Sequence, residues 1–325
     1  MTDTVPDEFA PLPQPDTAGG DPRLVGVEIE LGGLSEARVA KIARDTLGGT
    51  LEQGDGPFWT LKDSEIGDLE VYLDIFIRNS EKSALRDAAL TIGREVVPVE
   101  LVSEPLDRAG MARLNALIPP LRAAGAQGSS AGVFFGFGIH FNIQVVADNI
   151  RDIRGPLTAY ALLEDWLRAA LPIDETRRIL PFAAPYPTGF VRALLDFDPN
   201  AGLGDLIALY ASHNATRNRG LDMLPLFAHL MPDALPQSLL ESTARRPTFH
   251  FRLPDCRIDE PDWSLTDEWQ RWLLVERVAA DPRLMAALAK VWRASHGGVT
   301  LSRHTWAQRA GDILLGAGLA EGPLA

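Results

Sequence analysis

Apolar and polar residues alternate with a period of two in several stretches of the chain, and each such stretch predicts a β-strand with one core face. In residues 25–31, Val27, Ile29 and Leu31 point one way while Glu28 and Glu30 point the other. Two carboxylates two steps apart on a strand lie roughly 7 Å from each other. Alone, that pattern is the ordinary solvated face of an antiparallel strand. It gains meaning by repetition. Residues 68–75 set Leu69, Val71, Leu73 and Ile75 against Asp68, Glu70, Tyr72 and Asp74. In residues 97–106, Glu100 leaves the apolar face between Val99 and Leu101, and Pro98 marks an edge or a strand beginning. Residues 135–145 alternate most clearly, with Phe135, Phe137, Ile139, Phe141, Ile143 and Val145 opposite Gly136, Gly138, His140, Asn142 and Gln144. In residues 248–253, Phe249, Phe251 and Leu253 alternate with His250 and Arg252.

Helical spacing separates these strands. Ser35 is an N-cap for a stripe of Val39, Ile42, Ala43 and Leu47 that ends at Gly48 and Gly49. Two short strands follow at 50–52 and 58–62, and a helix is expected over 80–94. Asp107 caps a helix with Leu114, Leu117, Ile118 and Leu121 as its stripe, kinked or ended by Pro119 and Pro120. Residues 150–229 read as mostly helical, interrupted by loops at 181–189 and 213–220, and the C-terminal third is helical around Trp269, Trp272, Leu288 and Trp292. Without a regular βαβ rhythm, the pattern predicts an α+β fold: a mostly antiparallel sheet with helices on one face and a concave polar face on the other.

Composition narrows the partners. The 325 residues are 46% hydrophobic and 23% charged, ample for a sizeable core. Residues 1–21, acidic and rich in proline without a basic leader, are expected to form a disordered tail before a single domain over 22–325. A formal charge of −13 argues against nucleic acid and anionic membranes as partners. A nucleotide is still compatible, because metal ions and local arginines can neutralise its phosphates. The single cysteine, Cys256, excludes an internal disulfide and suits a reducing, cytoplasmic location.

Five strands thus share one design, and their polar faces offer Glu28 and Glu30, Glu70 and Asp74, Glu100, His140 with Asn142 and Gln144, and His250 with Arg252. Clustered carboxylates repel unless a cation sits among them. Carboxylate-rich sites select hard cations, Mg²⁺ or Mn²⁺, and Mg²⁺ commonly shares its shell with nucleotide phosphates. Arg252, with Arg217 or Arg219 from the loop, can meet phosphoryl charge. No Walker A or dinucleotide fingerprint occurs, and the lack of a His-Glu-x-x-His motif or a cysteine pair argues against zinc. His213, His229, His296 and His304 read as surface or helix-end residues, Cys256 as a buried thiol, and Glu276-Arg277 as a helix-surface pair.

In order along the chain, Gly26-Val27-Glu28-Ile29-Glu30, Glu100-Leu101-Val102-Ser103-Glu104-Pro105-Leu106, Gly138-Ile139-His140-Phe141-Asn142 and Thr248-Phe249-His250-Phe251-Arg252 resemble the amidoligase family, distant relatives of glutamine synthetase and glutamate–cysteine ligase. The resemblance spans about residues 24–280. It implies a carboxylate–amine ligase fold of the glutamine synthetase/glutamate–cysteine ligase kind, with ATP and two or more Mg²⁺ ions on the concave face. On that reading Glu28, Glu30, Glu70, Glu100 and His250 hold metal, and His140 and Asn142 position metal or nucleotide. Arg252, Arg217 and Arg219 then meet phosphate or a substrate carboxylate. The chain departs from the family at His250, where relatives usually carry an acid two residues before the arginine, and at Asn142, where a second histidine is often found. The expected reaction joins a small-molecule or peptide carboxylate to an amine through an acyl phosphate. The alternatives are a phosphotransferase on the same sheet or a non-catalytic binder of nucleotide or peptide.

Overall fold

A computed structural model describes residues 9–73, 97–129, 136–170, 183–241, 243–296 and 302–320. In chain order the first elements are β1 (Val25–Leu31), α1 (Glu36–Leu47), β2 (Thr50–Gln53), β3 (Phe58–Ser64), β4 (Gly67–Leu73) and β5 (Val99–Ser103). Then come α2 (Arg108–Asn115), α3 (Ile118–Ala123), β6 (Ile139–Gln144), α4 (Ile150–Ala170), α5 (Thr188–Leu195) and α6 (Leu203–His213). The remainder comprises β7 (Leu221–Asp222), α7 (Leu224–Leu230), α8 (Gln237–Leu240), β8 (Thr248–Phe251), α9 (Leu265–Ala279), α10 (Pro282–Ser295) and α11 (Arg303–Gly316). The expected helix over 80–94, residues 74 and 75 of the acidic stretch, and Phe135 lie outside the described residues.

The strands form one antiparallel sheet in the order β2-β3-β4-β5-β1-β6-β8-β7. Residues opposed across antiparallel strands share a face. The register therefore sorts every side chain: Glu28 faces His140 and Val102, Glu30 faces Glu100, Glu100 faces Tyr72, and Asn142 faces His250. The other face is apolar. Val27, Ile29, Leu31, Leu101, Ile139, Phe141, Ile143, Phe249 and Phe251 are all buried there. Trp269 meets Phe141 edge-on at 5.9 Å, and Trp272 packs on Phe249 and Phe251, so α9 closes the core beneath the central strands.

Local chemistry sets the helix ends as expected. Ser35 and Asp107 accept from Arg38 N and Gly110 N, and Gly48 ends α1 at φ 71°. Pro119 and Pro120 do more than kink a helix. The stripe divides into α2 and α3, with both prolines in the first turn of α3, where a missing N–H is tolerated.

The N-terminal segment departs in part from the expected tail. Residues 1–8 lie outside the described residues, while the start of 9–21 docks on the body: Phe9 and Leu12 are buried, and Trp269 Nε1 donates to Ala10 O at 2.9 Å. Its anchor is Arg23, which donates to Glu276 through both terminal nitrogens (2.7 and 2.9 Å), to Gln14 O, and from Nε to Gln144 O. Glu276 is consequently a buried ion-pair partner, also accepting from Trp272 Nε1, and not a surface residue. His296 is likewise buried at the end of α10, stacked on Trp292 at 4.2 Å. Among the described residues no helix is long and apolar enough to cross a membrane.

Candidate active site

The polar sheet face is organised around Glu28. Its Oε2 lies 2.8 Å from His140 Nδ1, and its Oε1 accepts from Asn142 Nδ2 at 2.9 Å and from an Arg246 terminal nitrogen at 2.6 Å. Burial opposes ionisation of this carboxyl, but the His140 hydrogen bond, the neighbouring His250 and His140 rings and Arg246 outweigh it and hold the group well below the usual carboxylate range. Asn142 passes the network on, its Oδ1 lying 2.8 Å from His250 Nδ1. Burial is the main reason His250 stays neutral. Despite the attraction of Glu28, it drives the imidazole well below its ordinary value, and His140, Arg252 and Arg217 push the same way. The two rings meet edge to face at 5.3 Å.

On the same strand, two residues on, Glu30 accepts from Gly138 N at 2.6 Å and places Oε1 3.8 Å from His140 Nε2. Glu100 stands opposite it on β5. Like charges directly opposed across a pair of strands are destabilising, so this arrangement favours a cation. Glu70 pairs with Val102, which in turn pairs with Glu28. It therefore lies two strand spacings from Glu28, about 10 Å between backbones, with an aliphatic side chain between them. It is also exposed. The acids expected to act together thus fall into two registers: Glu70, Val102, Glu28 and His140 in one, Tyr72, Glu100 and Glu30 in the next.

The arginines divide too. Arg252, one residue past β8, donates to Arg217 O at 2.7 Å, and its backbone N–H bonds to Gly220 O at 2.8 Å. Arg217 donates from Nε to Asp222 Oδ2 at 2.6 Å. Asp222 is fully buried opposite His250 on β7 and caps Leu224 N at 3.0 Å. Burial raises its carboxyl above the usual value despite the opposing pull of Arg217 and Arg252. Arg219 does not join this group. It donates instead to the backbone carbonyls of Pro185 (2.6 Å) and His213 (3.5 Å). Cys256 is a buried thiol as expected, its ionisation strongly opposed by burial.

Sequence reasoning missed two contributors. Asp222 sits in a strand of two residues, too short to leave a periodic signal. Arg246 was visible only as part of a basic pair before the last strand, and nothing in the sequence ties it to Glu28, 218 positions earlier.

The ligand atoms of Glu28, His140 and His250 lie within 4.8 Å of one another, and all three residues are buried. Glu30 and Glu100 supply a neighbouring donor set made of oxygen alone. Fold and site together define a mixed α/β protein whose antiparallel sheet presents a polar face of carboxylates and imidazoles opposite its helical layer. The family model described as "Putative amidoligase enzyme" matches residues 21–274, and the chain belongs to that family. No curated protein matches the chain. Membership supports a ligase-type function.

Proposed function

We propose that the protein is an ATP- and Mg²⁺-dependent carboxylate–amine ligase of glutamine synthetase/glutamate–cysteine ligase-like fold. A substrate carboxylate oxygen attacks the γ-phosphorus of ATP, releasing ADP. An amine then attacks the acyl carbon of the resulting acyl phosphate, and phosphate leaves with its bonding electrons as the amide forms. The observation that carries this reading is the register of β5, β1, β6 and β8. In chain segments matched by an amidoligase model, it collects opposed acids and imidazoles on one face.

The oxygen donors of Glu30 and Glu100 fit Mg²⁺, which prefers carboxylates, water and phosphate oxygens. When bound, the ion would neutralise charge developing on the transferred phosphoryl group. Glu70, on the exposed side of the same face, adds a further carboxylate towards the solvent. Arg217 is held at its Nε by Asp222, and Arg252 donates to the Arg217 carbonyl, so both guanidinium groups are fixed in orientation near His250, and either would meet phosphate or a carboxylate there. His140 lies between Glu28 and Glu30, hydrogen-bonded to Glu28 through Nδ1 and 3.8 Å from Glu30 through Nε2.

ADP release measured with Mg²⁺, ATP and a panel of amino acids and amines tests the proposal. Wild type should release ADP and form an amide in equal amounts, and Glu100→Gln should lose most of that turnover. Absence of nucleotide binding by calorimetry with Mg²⁺ present would refute it. A stable phosphorylated product without an amide would favour a phosphotransferase.

A further inference from the structure

Four neighbouring strands set side chains in one row on the polar face. Across β3, β4, β5 and β1 the register places Phe58 opposite Tyr72, Tyr72 opposite Glu100, and Glu100 opposite Glu30. One half of the row is acidic and the other aromatic. Elsewhere on the same face β3 and β4 carry Thr60 opposite Glu70, and Lys62 paired with Asp68. The rings therefore occur on these two strands at the row that leads to Glu100 and Glu30.

Core packing does not account for them. Alternation gives the core side of these strands to Trp59, Leu61, Leu69 and Val71 and turns Phe58 and Tyr72 the other way, where both are half-buried. Their planes are 9° apart with ring centroids 5.6 Å from each other. Carbon atoms in contact lie about 3.5–4.0 Å apart, so near-parallel rings at that separation are offset and cover each other only in part. Gly54 closes the outer side of Phe58, since a Cβ there would stand 2.9 Å from Cδ1. Tyr72 has Phe58 on its β3 side and adjoins Glu100 on its β5 side. The pair is a π-surface at the end of the acidic row.

Aromatic side chains displayed on a sheet face stack nucleobases, whichever the base, because every base has a π-face. The spacing also fits. From midway between Glu30 and Glu100 to midway between Tyr72 and Phe58 is two strand spacings, about 10 Å. A nucleoside triphosphate holds its base away from its terminal phosphates by a ribose and the α-phosphate. One extended molecule can thus meet a cation at the acidic end of the row and the rings at the other.

We infer that Phe58 and Tyr72 form the platform on which the base of a purine nucleoside triphosphate stacks, its phosphates directed along the row to Glu100 and Glu30. The inference rests on the ATP-dependent reading and adds to it the place and chemistry of base recognition. Stacking responds to the area of a base more than to its edge groups, so the platform favours purines over pyrimidines and separates adenine from guanine weakly.

The test is calorimetry on the full chain with Mg²⁺ and two probes that share phosphates and differ in the base, ATP and inorganic tripolyphosphate. Wild type should bind both, ATP the more tightly, with GTP close to ATP and UTP weaker. Tyr72→Ala and Phe58→Ala should each weaken ATP binding roughly 5–150-fold and leave tripolyphosphate binding unchanged. Tyr72→Trp should bind ATP at least as tightly as wild type. A cross-strand aromatic pair also steadies its hairpin, so far-UV circular dichroism checks that each variant folds. Tyr72→Leu, which keeps an apolar side chain on the strand, should show the same split between the two probes. Unchanged ATP binding in folded Tyr72→Ala, or an equal loss for ATP and tripolyphosphate, would overturn the inference and leave the ligase reading standing, because wild type would still bind nucleotide. Wild type that binds no nucleotide would overturn both.

Discussion

Glu164 gives the most quantitative prediction about the support of the site. It lies on α4, fully enclosed, with Oε1 accepting from Tyr160 Oη at 3.1 Å and Oε2 from Tyr186 N at 2.7 Å. Gly220, whose carbonyl pairs with Arg252, packs directly over it: a Cβ there would stand 3.4 Å from Oε1. Burial raises the Glu164 carboxyl from 4.5 to about 7, against the opposing pull of Arg168, the Tyr186 N–H and Arg303. The folded state therefore holds a proton that the unfolded state has already released. Its stabilising contribution is complete below the unfolded value of 4.5 and is lost as pH rises through about 7. A gap of that width corresponds to about 3 kcal/mol. Glu164→Gln reproduces the protonated acid, its carbonyl accepting from Tyr186 N and its NH₂ donating to Tyr160 Oη. In urea unfolding followed by tryptophan fluorescence, the variant should match wild type below pH 5 and exceed it by about 3 kcal/mol near pH 8. His250 titrates in the opposite sense: its depressed value makes the fold lose stability as pH falls below the ordinary imidazole range. Because both proteins carry His250, its contribution cancels in the comparison. A difference between the two proteins that does not change with pH would refute the reasoning.

Three further outcomes follow from single contacts. Asp222→Ala removes the partner of Arg217 Nε and the acceptor for Leu224 N at a fully buried position, and should cost about 3 kcal/mol, read as a lowered thermal midpoint. Glu276→Ala should cost a similar ~3 kcal/mol by leaving Arg23 unpaired in the interior, whereas the double variant Arg23→Met/Glu276→Leu should recover most of it; equal losses in single and double variants would exclude the ion-pair explanation. Gly220→Ala would set a Cβ 2.2 Å from Tyr160 Oη, and the forced shift should cost about 2 kcal/mol in chemical denaturation.

How much of this was legible in the sequence depends on distance along the chain. The alternation in residues 25–31, 68–73, 99–103, 139–144 and 248–251 announced the strands and the polar face, because a period of two is a local property. Strand order and register are not local. That Val102 separates Glu70 from Glu28, while Glu100 stands opposite Glu30, follows from pairings between residues tens of positions apart. Burial of Glu276 needed Arg23, 253 positions away, and burial of Phe9 needed Trp269. Proline-rich acidic composition describes a segment's average, whereas its docking rests on Phe9, Leu12 and the backbone of Ala10. The short β7 left no period to read, so Asp222 became visible only as the partner of Arg217.

The register also explains why the two acids of β1 keep different company. Glu28 and Glu30 are the same side chain on the same face of β1, and what differs is the company each keeps across the sheet. Glu28 has an aliphatic neighbour, Val102, on the β5 side and an imidazole on the β6 side, so its environment supplies nitrogen. Glu30 has Glu100 on the β5 side, so its environment supplies oxygen. His140, reaching Glu28 through Nδ1 and lying 3.8 Å from Glu30 through Nε2, is the group common to both. Exchange of an acid for His250 does not leave a gap in this arrangement. It moves the balance of the Glu28 side towards nitrogen, and Asn142 and Arg246 complete the network that keeps Glu28 satisfied at low dielectric, where an unpaired carboxylate would be costly.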